Sequence, residues 1–518
     1  MQKHSLFDFA PRSDRASDSK IAKKSKQRTI ATSRRGGNSL LDKVRNIIEV
    51  VNTNLSQYSN ETLIIRDEAT LHQYVSKCLD NGVVAIDTET SGLNPITDKL
   101  AGVCLYTPNE KTTYIPFGHI NYITLEAEAN QLDKETLARE LARLADCREI
   151  VEHNAKFDTR VLRHSLGINL VCTWDTYLAS MLMDENEDSH ALKPLHQKYV
   201  LNGVGDAFKY DDLFKGIDFR YVPIKPASLY AAHDPKITWE LKEWQKKSLY
   251  WDCTCDLEDR DGMNGVAWTF FNIEMPCVQV LADLEDVGMK FDFEYNEKLQ
   301  TMYHARMDDA KDELYDMLKP YDAQIARNTH LDARVNLDSP QQLSILLFDV
   351  MKLQAPIDKR TKQPIRSTGV EVLSQIDHPF VKKLLEYRGF VKLVSTYIDK
   401  MPECVLDDGR VHCNFNQYGA ATGRMSSSDP NMQNLPAHAK DIRQMFIATS
   451  DIYEITQKDN YFLLFRWDDV ETKDGWKCAN NLHIGDVIIT DEGNVAVSSV
   501  EIVGNDCKIY HDMIKYPM

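Results

Sequence analysis

Along roughly the first 250 residues, short apolar runs alternate with stretches whose apolar residues recur every three or four positions. The runs VVAID (83–87), AGVCLY (101–106), TTYIPF (112–117) and EIVEHN (149–154) have the length and content of strands. Interleaved with helical periods, they predict an α/β sheet with a mixed edge. Asn81-Gly82 is a turn signal placed directly before VVAID. The stretch 185–228 is polar and contains proline, which predicts a loop-rich cover. After about residue 265 the pattern changes to long amphipathic helices. One spans 270–287 and ends at Val287-Gly288; another runs from 293 and stops at Pro320. Ser339 ahead of Pro340 is a good helix start, an N-cap followed by a proline that needs no amide partner. Beyond Asp451, short β-like runs are separated by Asp-Gly, Gly-Asp and Glu-Gly turns.

The strand-like run at 83–87 ends in Asp87, Thr88 and Glu89, and Ser91-Gly92 then breaks it. Side chains two apart on a strand share a face, so Asp87 and Glu89 point the same way. Like charges so placed repel, and a divalent cation between them removes that penalty. Two further patterns supply partners. Asn154 and Asp158 stand four apart in a helix-like stretch, and Tyr230 and Asp234 repeat that spacing, so each pair is expected to share a helix face. Asp175 opens another amphipathic stretch. Asp87, Glu89, Asp158 and Asp234 with Tyr230 can hold two metal ions about 3.5–4 Å apart, the arrangement used for in-line phosphoryl displacement. One ion would activate water, both would neutralise developing charge, and Tyr230 would orient the water.

The ordered set Asp-x-Glu, Asn-x-x-x-Asp, Tyr-x-x-x-Asp resembles the three motifs of DEDD-type 3′–5′ exonucleases, in the tyrosine subgroup. That resemblance implies a ribonuclease H-like mixed sheet with flanking helices and two Mg²⁺ or Mn²⁺ ions on the four acids. It also implies water positioning by Tyr230. Proofreading domains and some exoribonucleases share these motifs. Further along, IEMPCVQVLADLEDVGMKFD, NLDSPQQLSILLF, HPFVKKLLEYRGFVKLVSTYID, TGRMSSSDPNMQNLP and IRQMFIA resemble family-A DNA polymerases, over about residues 60–450. The choice then falls on DNA proofreading. The resemblance implies a mainly α thumb and first part of the palm. Thr422, Arg424, Gln433 and Asn434 would line primer–template, and Asn154 would meet the DNA strand. Arg424 suits a phosphate or base edge, and the two amides offer donors and acceptors.

The resemblance stops near Asp451. The palm phrase with its catalytic aspartate, the nucleotide-binding lysine helix and the His-Asp-Glu hairpin are not found, and Asp468 only superficially echoes such a ligand. The polymerase site is therefore expected to be incomplete in this chain. Gly475-Trp476, Leu482 and 485–488 resemble part of an intein (Hint) domain, without its nucleophile and terminal blocks. The expected organisation is a basic tail and leading helix (1–59), an exonuclease domain (60–250), thumb and partial palm (251–450) and a β-rich segment (451–518). The alternatives are a DNA-binding fragment completed by a second polypeptide, and a stand-alone exonuclease.

Charge and cysteine content adjust this picture. The net charge of −17 looks wrong for a nucleic-acid enzyme until it is resolved along the chain: residues 1–40 carry ten Lys/Arg against three Asp. A metal-dependent nuclease needs acids in its site, and phosphate contacts need only local basic patches. Gln2 to Phe7 resembles the short motif by which bacterial replication proteins grip a sliding clamp. Eleven cysteines without a Cys-x-x-Cys pair point away from a zinc ribbon or disulfide framework, and Cys253 and Cys255 read as ordinary thiols. No apolar run approaches the ~18 residues of a membrane span. A reducing cytoplasm is the expected setting, with single-stranded 3′ ends and primer–template DNA as partners.

Overall fold

The computed structural model describes residues 39–204, 211–249, 265–332, 334–419, 423–436, 439–447 and a series of strands between 452 and 504. The basic tail, the clamp-like phrase Gln2 to Phe7, Cys253, Cys255, Thr422, Asp468, Leu482, Gly485 and Asp486 lie outside the described residues.

In chain order the first part holds α1 (Leu40–Leu55), β1 (Thr62–Ile64), α2 (Glu68–Asn81), β2 (Val83–Thr90), β3 (Leu100–Tyr106), β4 (Thr112–Pro116) and α3 (Lys134–Ala142). Then come β5 (Glu149–Glu152), α4 (Ala155–Leu166), β6 (Trp174–Asp175), α5 (Thr176–Met183), α6 (Leu192–Tyr199), α7 (Asp211–Phe214), α8 (Ile224–Ala231) and α9 (Asp234–Leu249). Local chemistry accounts for many ends. Ser39, Asp67 and Asp133 accept backbone amides as N-caps of α1, α2 and α3. Gly82 closes α2 at φ 68°, the left-handed cap that a residue with a Cβ resists, and β2 starts at the next residue. The loop-rich cover expected over 185–228 is corrected: α6, α7 and the start of α8 lie inside it. Leu192 and Leu195 put an apolar edge on α6, and Pro194 falls in its first turn, where no amide partner is lost.

By internal contacts the chain divides into two units, Met1–Arg148 with Gly205–Ile237, and Glu149–Val204 with Thr238–Met518. In the first unit the strands run β1-β4-β3-β2. The β1–β4 pair is parallel and the β4–β3 and β3–β2 pairs antiparallel, so the sheet is mixed. Ile47 and Val51 of α1, Ala101, Cys104 and Tyr114 of the sheet, and Ala227 and Leu229 of α8 share one core. β3 and β4 are buried along their whole length, as a sheet covered on both faces requires.

In the second unit β5 and β6 pair in parallel, with Glu152 opposite Asp175. The remainder is helix-rich. α10 (Gly265–Thr269) passes through a π-turn into α11 (Met275–Val287), followed by β7 (Met289–Phe291) and the long α12 (Phe293–Leu318). Asp292 caps α12, and Pro320 lies in the single 3₁₀ turn that follows it. Then come α13 (Asp322–Ala326), α14 (Pro340–Ile345) capped by Ser339, α15 (Val370–Leu373) and α16 (Pro379–Leu393). β8 (Arg410–Val411) and β9 (Asn414–Asn416) follow, and β9 pairs with β10 (Ser426–Ser428). After α17 (Lys440–Arg443), β11 (Phe446–Ile447) joins β7 and β8 in a small sheet. One core gathers α12, α14 and α16 through Leu314, Leu343, Phe380 and Leu384; another gathers Phe291, Leu299, Ile398, Ile442 and Met445. Seven further strands lie between 452 and 504, in sheets of three and four. The mixed sheet with flanking helices, the helix-rich part and the β-rich C-terminal segment are as expected.

Candidate active site

β2 delivers the first two acids by alternation alone. Val83 to Ile86 are buried, Thr88 points into the structure, and Asp87 and Glu89 stand half-buried on the other face. Across the ladder Asp87 faces Cys104 and Glu89 faces Gly102, while Cys104 faces Tyr114 on β4. These residues therefore share one face of the sheet. Gly102 has a steric reason: a Cβ there would lie 2.5 Å from the Tyr114 hydroxyl. The Tyr114 phenol occupies that space and is wholly buried. Burial, with the Cys104, Glu89 and Asp87 charges, pushes it well above its usual range.

The Tyr114 hydroxyl lies 2.6 Å from Nε2 of His119, whose Nδ1 lies 2.8 Å from the Val222 carbonyl. A carbonyl only accepts, so Nδ1 carries the proton and Nε2 accepts from the tyrosine. Burial holds His119 down to about 4, which keeps the ring neutral.

Asn154 and Asp158 arrive by a different route. Asn154 is exposed and precedes α4 at φ 66°, ψ 52°, so it is the cap residue rather than part of the helix. Asp158 sits one turn in and is buried. The turn between them is held by Asp175. Its Oδ1 accepts from the Asn154 amide at 3.0 Å and its Oδ2 from the Ala155 amide at 2.8 Å. Oδ1 also accepts from Tyr177 and Leu178 at the start of α5. One carboxylate thus caps two helices. The position of Asp175 at the head of an amphipathic stretch was legible as a helix start; its grip on α4 was not. Burial nevertheless raises Asp175 above the ordinary carboxylate range, against those four amides. Beside it, Glu152 is fully buried, and its carboxyl has no hydrogen-bond partner among the described residues. Burial and the Asp158 and Asp175 charges push Glu152 well above that range.

Tyr230 and Asp234 do not share one helix, as their spacing had suggested. Tyr230 lies in the last turn of α8 and Asp234 opens α9. Pro235 is the physical cause: it has no amide for the carbonyl four residues back, and its ring clashes there. The Tyr230 ring packs against Phe214 at 4.4 Å and Phe219 at 6.1 Å. Arg424, Gln433 and Asn434 are exposed on either side of β10, and Ser427 braces the turn by accepting the Met432 and Gln433 amides at 3.0 Å.

Among the described residues no group of three or more His, Cys, Asp and Glu side chains is close enough to hold an ion. The Asp87–Glu89 pair offers carboxylate oxygens alone on one strand face, the donor chemistry that hard divalent cations such as Mg²⁺ take. By donor type, this pair fits such an ion. No described helix is long and apolar enough to cross a membrane.

Residues 62–249 match the 3′–5′ exonuclease family, and residues 304–461 match DNA polymerase family A. DNA polymerase I of Chloroflexus aurantiacus is 30% identical over 400 residues, covering 74% of this chain and 39% of that protein. DNA polymerase I of Synechocystis is 33% identical over 381 residues, covering 71% and 35%. The thermostable DNA polymerase I of Thermus aquaticus is 37% identical over 194 residues, covering 36% and 22%. The chain spans 39% or less of the length of these three relatives. Among solved structures, the POL domain of Pol1 from M. smegmatis, in complex with DNA primer-template and dNTP, aligns with a TM-score of 0.55 at 20% identity. The match covers 77% of this chain and 61% of that one. The polymerase-family match runs past Asp451 to residue 461, and none of these findings supports the intein likeness of the segment that follows.

Proposed function

For a chain that belongs to DNA polymerase family A and carries a 3′–5′ exonuclease domain ahead of its polymerase-family part, we propose that it hydrolyses DNA from the 3′ end as a proofreading nuclease. The observation that carries this reading is the Asp87–Glu89 pair on one face at the end of β2, inside the exonuclease match. Asp87, Glu89, Asp158 and Asp234 would hold two divalent ions, Mg²⁺ or Mn²⁺. Bound there, the ions would supply an activated water and offset charge on the reacting phosphate. The Tyr230 hydroxyl orients that water, and the ring's packing on Phe214 and Phe219 limits where the hydroxyl can go. Exposed Asn154 meets the strand being shortened.

On the polymerase side, Arg424, Gln433, Asn434 and, outside the described residues, Thr422 contact primer–template. The polymerase-family match at 304–461 supports DNA over RNA as substrate. On sequence grounds the reading extends to a sliding clamp held through Gln2 to Phe7, to a second polypeptide supplying the polymerase motifs not found in these 518 residues, and to action in the cytoplasm.

The test uses the purified chain with single-stranded DNA labelled at its 5′ end. With Mg²⁺ the label should move into a ladder of fragments shortened from the 3′ end, and a chelator should stop it. The Asp87→Ala, Glu89→Ala double variant should leave the DNA intact. Equal activity in that variant would end the assignment.

A further inference from the structure

The helix that carries Asp158 has a second charged face. Lys156, Arg160, Arg163 and His164 recur at helical spacing on α4, and all four meet carboxylates in the last turns of α11. Arg160 Nε and Arg163 Nη1 each donate to Asp286 at 2.6 Å, and His164 Nε2 lies 2.9 Å from it. Glu285 is the inner member, with a fully buried side chain. It accepts from Lys156 Nζ and Arg160 Nη1 of α4, and also from the Phe415 amide of β9 at 2.6 Å. Lys156 donates in turn to the Phe415 carbonyl and, at 2.8 Å, to Asn414 Oδ1. The Glu285 carbonyl is held as well, by Nδ1 of His412 at 2.7 Å.

One buried carboxylate is therefore shared by the exonuclease-family helix and by the β9–β10 hairpin, whose connecting segment includes Arg424. Water cannot replace a partner lost inside such a cluster, and the guanidinium fork fixes direction as well as distance. Asp158 lies two residues from both Lys156 and Arg160, so it projects from a different side of α4. Clamping one side of a helix sets its rotation about its own axis, and with it the aim of the residues on the other.

We propose that Glu285 is a positioning residue for Asp158, making the aim of the exonuclease aspartate depend on the β9–β10 hairpin of the polymerase-family part. The proposal rests on the nuclease reading above. Its test compares the full chain with Glu285→Gln, with Asn414→Ala, and with Asp283→Asn. Asp283 pairs only with Arg163 and Gln279 in the described structure and is largely exposed. The kcat and KM for 3′ hydrolysis of single-stranded DNA are measured well below each variant's melting temperature. Amide hydrogen exchange is followed over α4, over α11 and over 410–428.

Glu285→Gln should lower kcat about 10–100-fold with KM within about twofold, as a misaimed catalytic group does. Exchange should speed up in the first turn of α4 and in β9 together. Asn414→Ala, which reaches α4 through Lys156, should lower kcat several-fold, and Asp283→Asn should match the parent. A kcat within about twofold of the parent in Glu285→Gln overturns the proposal, as does faster exchange confined to α11. If Glu285→Gln does not fold, an unchanged kcat in Asn414→Ala overturns it. A parent chain without hydrolytic activity overturns the nuclease reading instead, and the exchange arm still decides whether Glu285 ties α4 to β9.

Discussion

The end of β2 and the start of α4 present the same kind of side chain by opposite means. On β2, Asp87 and Glu89 share a face because strand residues alternate, and their neighbours Gly102, Cys104 and Tyr114 come from the next two strands of one meander. At α4, Asp158 is aimed by groups far along the chain. Asp175 holds the turn from 21 residues beyond Asn154, and Glu285 holds the helix from 125 residues beyond Arg160. The β2 pair should therefore tolerate change at a distance, whereas Asp158 should not. Placement by a repeating backbone is cheap and local; placement by buried polar contacts is exacting and breaks when one partner goes.

The sharpest contrast comes from removing the acids themselves. Asp87→Ala with Glu89→Ala should abolish 3′ hydrolysis, yet leave the melting temperature unchanged or raised, because two like charges leave one face. A cooperative loss of fold in that variant would break the comparison. Tyr230→Phe comes next. It removes only the hydroxyl and keeps the ring on Phe214, so kcat should fall on the order of 10²–10⁴-fold with the fold intact. An unchanged rate would reduce Tyr230 to packing.

The β2 side has a liability of its own at low pH. His119 stays neutral in the fold down to about 4, against an ordinary value of 6.5, so the unfolded chain binds the proton first. Stability should fall as pH drops from 6.5 through 4, by up to about 3 kcal/mol at roughly 1.4 kcal/mol per unit. Urea unfolding across that window would measure it. His119→Gln should flatten this part of the slope, and an unaltered slope would clear His119 of the effect.

Asp175→Asn probes the α4 side. It keeps the shape but turns an amide nitrogen toward amide donors, so it should cost about 1–3 kcal/mol in urea unfolding. The kcat should fall at constant KM, and equal stability and kcat would remove Asp175 from the account. The smallest effect is expected from Arg424→Ala. Primer–template binding should weaken across all sequences, and the slope of log affinity against log salt should drop by about one. An unchanged slope would mean that Arg424 meets no phosphate.

Several features were legible from neighbouring residues alone. Asn81-Gly82 announced the start of β2, Ser339-Pro340 the start of α14 and Val287-Gly288 the end of α11, because caps and turns depend on residues a few positions apart. The shared face of Asp87 and Glu89 follows from a period of two and needed no partner strand. Spacing misled where one residue breaks the period. Pro235 separates Tyr230 from Asp234 into two helices, and Leu192 with Leu195 makes a helix inside a stretch that reads as loop by composition.

What the chain determined by itself is therefore the local part: the strand that presents two acids, the caps that time each element, and the ordered motifs that place it in its family. Only the tertiary structure decided that Asp175 caps two helices, that Glu152 is buried without a partner among the described residues, and that Glu285 joins α4 to β9. The physical reason is range. Backbone periodicity and capping act over about four residues, whereas the cost of burying a charge depends on which distant groups arrive beside it.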